Sequence, residues 1–289
     1  MEQFTYSSFL KRFSTEEKCL EEIKNLRFPN GITCPKCKKV TNFYKLKRRK
    51  AYSCEFCRTQ VYPLKDSIFE KTTTPLQYWL YVMYSMIQTK AGMSAKQIQR
   101  ELGVTYKTAW RMAHQIRKLM NENDGGKLGG DVEIDETYIG GKGINRAKTW
   151  HGNEKLKEPV MGLVQRNGKA IMTRMDGFGK PSYLEPIKQY VSPKARLFTD
   201  ENHCYYQLKK EGFNHYSINH KEHFRVGEVH TQNAENLWSH LKRGIYGTYR
   251  HVSPKHLQKY VDEFAYRYNH RKEKGAMFNV LLSQLSSKD

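Results

Sequence analysis

The stretch VEIDETYIGG, residues 132–141, places three carboxylates in a run rich in β-branched and aromatic residues. Strict alternation puts Val132 and Ile134 on one face of a strand, with Asp131, Glu133, Asp135 and Thr137 on the other. Glu136 points with the apolar set. A carboxylate in a central strand is costly unless a cation or hydrogen bonds compensate it. The run is therefore either an edge strand with a solvated acidic face or a core strand that carries chemistry. Two more pieces favour chemistry. In RLFTDENH an apolar strand ends at Asp200, and two strand-borne aspartates can meet at one sheet edge and bind hard divalent cations. In NAENLWSHLKRG, residues 233–244, Leu237 and Leu241 lie on one side of a helix. Glu235 and Lys242, seven residues apart, align on another. Glu235 would thus complete a carboxylate set, and Lys242 would hold a phosphate two turns along. Asn236, adjacent to Glu235, is the competing ligand, but an amide adds no negative charge to balance the cations.

The rest of this half reads as an α/β domain with a mixed sheet, residues 131–289. EPVMGLVQRNG and AIMTRMDGFG form a hairpin turning at Asn167-Gly168. A helix follows near 182–191, a strand near 195–200, a short helix, a strand at HYSIN, and a mostly helical tail from 234 to 268. Residues 142–157 are basic and apolar-poor, as expected of a mobile loop. NENDGGKLGG, residues 121–130, carries four glycines and suits a linker.

Upstream, six cysteines include Cys34-x2-Cys37 and Cys54-x2-Cys57, with sixteen residues between the pairs. Two such knuckles around a short hairpin place four thiolates tetrahedrally about one Zn²⁺ and leave no position for water, so the metal is structural. This zinc ribbon, residues 31–66, follows an N-terminal helical segment, residues 1–30, expected as one helix over 5–26. Between residues 31 and 60 there are nine Lys and Arg and one acid. The basic hairpin Lys47, Arg48, Arg49 and Lys50, with Phe43 and Tyr44 beside it, points to DNA contact.

Residues 67–121 form a helical region. Within it, SAKQIQRELGVTYKTAWRMAHQIRKL, residues 94–119, reads as a helix-turn-helix. Gly103 breaks the first helix and Val104 fills the corner. Thr105 caps a second helix that buries Ala109, Met112 and Ile116 and offers Tyr106, Lys107 and Arg111 to a groove.

Composition narrows the partner. The 289 residues hold 50 Lys and Arg against 29 Asp and Glu, a net charge of +21. A polyanion is expected to balance that excess, and nucleic acid is the first choice. The longest apolar run, YWLYVMY around Trp79, is too short to span a bilayer, so no membrane partner is expected. With no signal-peptide pattern, the expected location is the cytoplasm, on the nucleoid.

Taken together, CPKC, CEFC, LGVTYKTAWRMAHQIR, VEIDETYIGGK, LFTDEN, VHTQNAENLWSHLKRGIYGTY and YVDEFAYRYN resemble the bacterial insertion-sequence DDE transposases that carry an N-terminal zinc ribbon, the group related to Merlin elements. The resemblance spans nearly the whole chain. It implies an RNase H-like catalytic fold and a triad at Asp135, Asp200 and Glu235, with Lys242 as the following lysine and Arg243 beside it on the DNA. It also implies two Mg²⁺ (or Mn²⁺) ions per active site. The implied activity is hydrolysis at the element ends and joining of the 3′-OH to target DNA. The implied partners are double-stranded DNA, as terminal inverted repeats and target, and a second copy of the chain in a homodimer or higher oligomer. Two rivals remain: a non-enzymatic DNA-binding regulator with a degenerate catalytic domain, and an RNase H-like structure-specific nuclease. On the sequence, Glu133 stands behind the metal site and Glu136 serves structure.

Overall fold

In the computed structural model, residues 4–122, 126–140, 157–218, 229–273 and 275–286 are described. The chain divides into two compact units. One comprises Met1–Thr89, Met93–Leu119 and Glu273–Asp289, and the other Lys90–Gly92 and Met120–Lys272.

The first unit opens with two helices where the apolar spacing predicts one. Thr5 caps α1 (Tyr6–Arg12) and Thr15 caps α2 (Glu16–Arg27), each hydroxyl accepting a backbone N–H at 3.2 Å. The Ser14-Thr15 pair competes with the helical backbone and restarts it, a local effect that apolar periodicity does not register. The ribbon follows as a three-stranded antiparallel sheet of β1 (Phe43–Lys45), β2 (Tyr52–Cys54) and β3 (Gln60–Val61). Residues 47–50 form the tip between β1 and β2.

Three helices continue this unit: α3 (Leu76–Gln88), α4 (Ala95–Leu102) and α5 (Tyr106–Leu119). Ser94 caps α4 through Gln97 N–H, and Gly103 ends it at φ +63°, where a side chain would be strained. Thr105 accepts Thr108 N–H at 3.2 Å, and Ala109, Met112 and Ile116 are buried, as the spacing predicts. The last helix, α10 (Met277–Ser283), belongs here as well. Its Phe278 ring stacks on Phe4 at 4.9 Å and meets Phe13 and Tyr84 edge-on. The expected domain of 131–289 includes this helix, which falls in the first compact unit. The apolar stripe of α10 marks a buried face but says nothing of which core receives it.

The second unit is built on a five-stranded sheet in the order β6-β5-β4-β7-β8: Ala170–Arg174, Glu158–Gln165, Asp131–Ile139, Arg196–Thr199 and Asn214–Ser217. β4 pairs antiparallel with β5 and parallel with β7, β7 pairs parallel with β8, and β5 pairs antiparallel with β6. The acid-rich strand is thus central. The β5–β6 hairpin turns through Asn167 at φ +59°. Helices cover both faces of this mixed sheet, the arrangement expected of an RNase H-like domain. On one face Val132, Ile134, Leu163 and Leu197 pack with Ile187 of α6 (Lys180–Tyr190) and Leu208 of α7 (Gln207–Lys210). On the other, Val160, Val164 and Met172 pack with Leu237 and Leu241 of α8 (Gln232–Arg243) and with Val261 and Phe264 of α9 (Leu257–Asn269). A π-helical turn, Gly244–Tyr249, extends α8.

The end of the expected linker is ordered by packing. Leu128 is 4% exposed, lies in the first of these cores and bridges to Val191. Its glycines flank one apolar residue that the core captures. Residues 141–156, nearly all of the expected basic loop, lie outside the described residues. No helix among the described residues is long and apolar enough to cross a membrane.

Candidate active site

Asp135 lies midway along β4, and Asp200 follows directly on β7. The parallel register pairs Glu133 with Phe198, so two residues further on Asp135 stands beside Asp200. Burial, together with the negative charges of Glu136 and Asp200, pushes Asp135 up to about 7, against a hydrogen bond from Trp238 that lowers it. That bond runs from Trp238 Nε1 to Asp135 Oδ2 at 2.8 Å. It needs Gly162, the residue opposite Asp135 on β5, because a Cβ there would come within 2.7 Å of the Trp238 ring.

Asp200 is shaped by its own loop. Its Oδ1 accepts Asn202 N–H at 3.0 Å, and Thr199 Oγ1 donates to the Asp200 carbonyl at 2.7 Å. The Asn202 side chain holds the loop through Cys204 N–H and donates 2.6 Å to Glu136. Glu136 also accepts Tyr205 Oη at 2.5 Å and Tyr183 Oη at 3.3 Å. It faces the α6 side, as alternation predicts, and its pKa is raised by burial and by Asp200. Its structural duty is therefore specific: it anchors the turn that presents Asp200.

Glu235 is exposed in the first turn of α8, with Thr231 Oγ1 donating to its Oε1 at 3.3 Å. On helical geometry it lies about 60° around the axis from Trp238, whereas Asn236 lies about 160° away. Glu235 is thus on the flank of Trp238 and Asn236 is not. Lys242 is exposed on the same flank. Asp135, Asp200 and Glu136 feel one another's charge, but the three acids of the expected triad are not drawn into one tight cluster. Among the described residues, only the four cysteines bring three or more candidate ligand atoms within 4.8 Å of one another. The donor set nevertheless fits a hard divalent cation: oxygen ligands, with Asp135 raised by burial and by neighbouring negative charge that a cation would offset.

Cys34, Cys37, Cys54 and Cys57 do meet, with Cys34 Sγ 3.5 Å from Cys57 Sγ, in a cluster suited to a structural zinc. Cys57 is lowered to about 6 by the Thr59 side chain and backbone.

The candidate DNA-contacting residues differ in exposure. Lys47, Arg48 and Arg49 are exposed at the ribbon tip, Tyr106 and Lys107 at the start of α5, and Arg243 at the end of α8. Lys96 sits over the Tyr106 ring at 5.1 Å. Lys50 instead pairs with Glu16 at 2.5 Å, and Arg111 donates to the Glu70 carbonyl at 2.9 Å with its guanidinium 5.4 Å from Trp79. These two cations are engaged within the protein, and of the exposed ones Arg49 donates to Gln60 Oε1 at 3.3 Å and Arg243 to the Ser239 carbonyl at 3.2 Å. Spacing shows which way a cation leaves its helix or hairpin, not whether an internal acceptor waits there.

Residues 127–269 match the model of the ISXO2-like transposase domain, and residues 14–60 match the transposase zinc-ribbon domain of the same group. The chain belongs to the ISXO2-like transposase family. The chain is similar to an uncharacterized protein in transposable element ISH50 of Halobacterium salinarum, 23% identical over 89% of this chain and 92% of its own length. An uncharacterized transposase-like protein of Haemophilus influenzae is 28% identical over 35% of this chain and 80% of its own. Among solved structures, a pre-cleavage Mos1 transpososome aligns over 76% of this chain and 81% of its own at 12% identity and a TM-score of 0.27.

Four residues that shape the surroundings of Asp135 and Asp200 carry no clear signal in the sequence: Trp238, Asn202, Tyr205 and Gly162. Trp238 reads as one more core residue of an amphipathic helix. Only the cross-sheet register reveals that its indole reaches Asp135.

Proposed function

We propose that this transposase binds terminal inverted repeats, hydrolyses the phosphodiester at the element ends and joins the freed 3′-OH to target DNA. Asp135, Asp200 and Glu235 would hold two Mg²⁺ or Mn²⁺ ions. Bound there, such ions supply an activated water and charge to balance the leaving 3′ oxygen during in-line attack. The observation that carries this reading is the placement of Asp135 two residues past the last pair, Glu133–Phe198, of a parallel ladder that Asp200 directly follows, with the two acids close enough to feel one another's charge and Trp238 of α8 bonded to Asp135. Trp238 orients the Asp135 carboxylate, and the Glu136–Asn202 link orients the Asp200 turn. Lys242 holds a backbone phosphate on the flank of Glu235.

End recognition falls to the ribbon tip (Lys47, Arg48, Arg49) and the start of α5 (Tyr106, Lys107), with Arg243 on DNA near the site. Lys50 and Arg111 support these surfaces from inside. Two element ends must be joined in one event, so the acting form is a homodimer or larger, in the cytoplasm on the nucleoid. The description of the Halobacterium relative as part of a transposable element supports the assignment.

The test is cleavage of duplex carrying the inverted repeats that flank the gene. Mg²⁺-dependent nicking at the element boundary, lost in Asp135→Asn, is expected. Tight binding with no nicking by the wild type would instead make the protein a regulator. Cleavage of branched DNA with indifference to end sequence would make it a structure-specific nuclease.

A further inference from the structure

Glu133 lies two residues before Asp135 on the same face of β4 and is 0% exposed. Donors from two separate parts of the chain reach it. Arg166, just past β5, donates Nε to Oε1 at 2.8 Å. Asn233, in the first turn of α8, donates its side-chain Nδ2 to Oε1 at 2.9 Å and its backbone N–H to Oε2 at 2.8 Å. His230 Nδ1 lies 3.1 Å from Oε1, and Arg166 Nη2 donates to the His230 carbonyl at 3.1 Å. Both oxygens of Glu133 are thus taken up by protein donors, so it is not itself a ligand. A buried carboxylate is costly, and these donors compensate it. An apolar residue would fill the space without any such need.

A second tie joins the same strand to the same helix, Trp238 Nε1 to Asp135 Oδ2 at 2.8 Å. Asn233 and Trp238 are five residues apart on α8, about 7.5 Å along the axis and about 140° around it. The two ties therefore hold the helix to β4 at different heights and on different sides. A slide or rotation of α8 breaks one tie or the other. Glu235 lies between the ties, two residues after Asn233 and three before Trp238.

We propose that Glu133 is a positioning residue that sets the axial position and rotation of α8, and through it the placement of Glu235 against Asp135. This rests on the assignment of Asp135 and Glu235 as metal ligands. A residue serving stability alone would lower the melting temperature and leave the metal affinity of the folded protein unchanged. A positioning residue changes that affinity.

Mn²⁺ binding to the zinc-loaded full-length protein, followed by the electron paramagnetic resonance of the free ion, separates the two. Glu133→Gln keeps the shape and removes the charge. Asn233→Asp places a second acid in the first turn of α8, which suits the helix dipole, and replaces the side-chain tie with repulsion. Both are expected to bind Mn²⁺ about tenfold more weakly or worse, with native near-ultraviolet circular dichroism and retained end binding. Should Glu133→Gln fail to fold, Asn233→Asp decides. Wild-type Mn²⁺ affinity in the folded variants, with binding lost in Asp135→Asn, would overturn the positioning role and leave the metal site standing. Wild-type affinity in Asp135→Asn would remove the metal site, and the proposal with it.

Discussion

Adjacent residues on one helix take different fates. Glu235 and Asn236 both have the chemistry to bind a cation, yet only Glu235 shares the flank of Trp238, whose indole touches Asp135. Glu235→Gln should abolish cleavage and strand transfer while leaving end binding intact, as should Asp200→Asn. Asn236→Ala should cleave with Mg²⁺ within a few-fold of wild type. The opposite pattern, an active Glu235→Gln and a dead Asn236→Ala, would move the third ligand by one residue. Asp135 adds a prediction about pH. Its pKa in the folded chain is about 7, whereas an unfolded aspartate ionises near about 4. Between those values the folded state binds more protons, so stability falls as the pH rises through that window and levels above it. In Mg²⁺-free buffer the melting temperature of the wild type should drop more from pH 5 to pH 8 than that of Asp135→Asn. Equal slopes would show that the environment of Asp135 is not as described. Asp135 and Asp200 were legible as candidates because acids interrupt apolar runs. The donors that orient them were not, since a tryptophan, two tyrosines and an asparagine are ordinary wherever they fall.

Elements differ in how far local sequence determines them. The zinc ribbon is the most self-contained, because the tight knuckles and the short hairpin between them bring the thiols together with little loop entropy to overcome. Cys37→Ser should release about one zinc per chain and weaken end binding, while hydrogen exchange in β4 stays at the wild-type rate. Wild-type protein that carries no zinc by mass spectrometry would contradict the assignment. The α4–α5 pair was equally legible through Ser94, Gly103 and Thr105, each of which acts on its own neighbours. Lys107→Ala should lower the slope of log affinity against log salt by about one unit if the residue contacts a single phosphate. An unchanged slope and affinity would place Lys107 off the DNA. Arg111→Ala should act otherwise, mainly on stability, because its guanidinium is held by the Glu70 carbonyl and Trp79. The same logic explains the split between α1 and α2, where Thr15 restarts a helix whose apolar spacing runs on unbroken.

At the scale of the whole chain, the first unit draws in a helix from the far end. Phe278 is 1% exposed among Phe4, Phe9, Phe13 and Tyr84. Phe278→Ala should destabilise that unit by about 3–5 kcal/mol. Hydrogen exchange reads each unit separately, so faster exchange is expected in α1 and α3 with β4 unaffected. Equal loss of protection in β4 would show that the units unfold as one. The net charge of +21 was enough to name a polyanion as partner, because charge is additive along the chain and needs no fold to be counted.

What the sequence by itself determined is what acts through neighbours or through sums: the zinc knuckles, the capped helices, the Asn167-Gly168 hairpin, the alternation of β4 and the basic excess. A period of two or of 3.6 specifies a face, and a cap specifies an end. Neither specifies what lies across from that face. The tertiary structure alone decided that β4 is central, that Gly162 makes room for Trp238 to reach Asp135, and that Arg111 turns to Glu70. It also decided that Glu133 meets Asn233 one hundred residues away, and that α10 leaves the region in which its sequence position would put it. Those contacts depend on register and on the packing of distant segments, whose pairing carries no periodic signature along the chain.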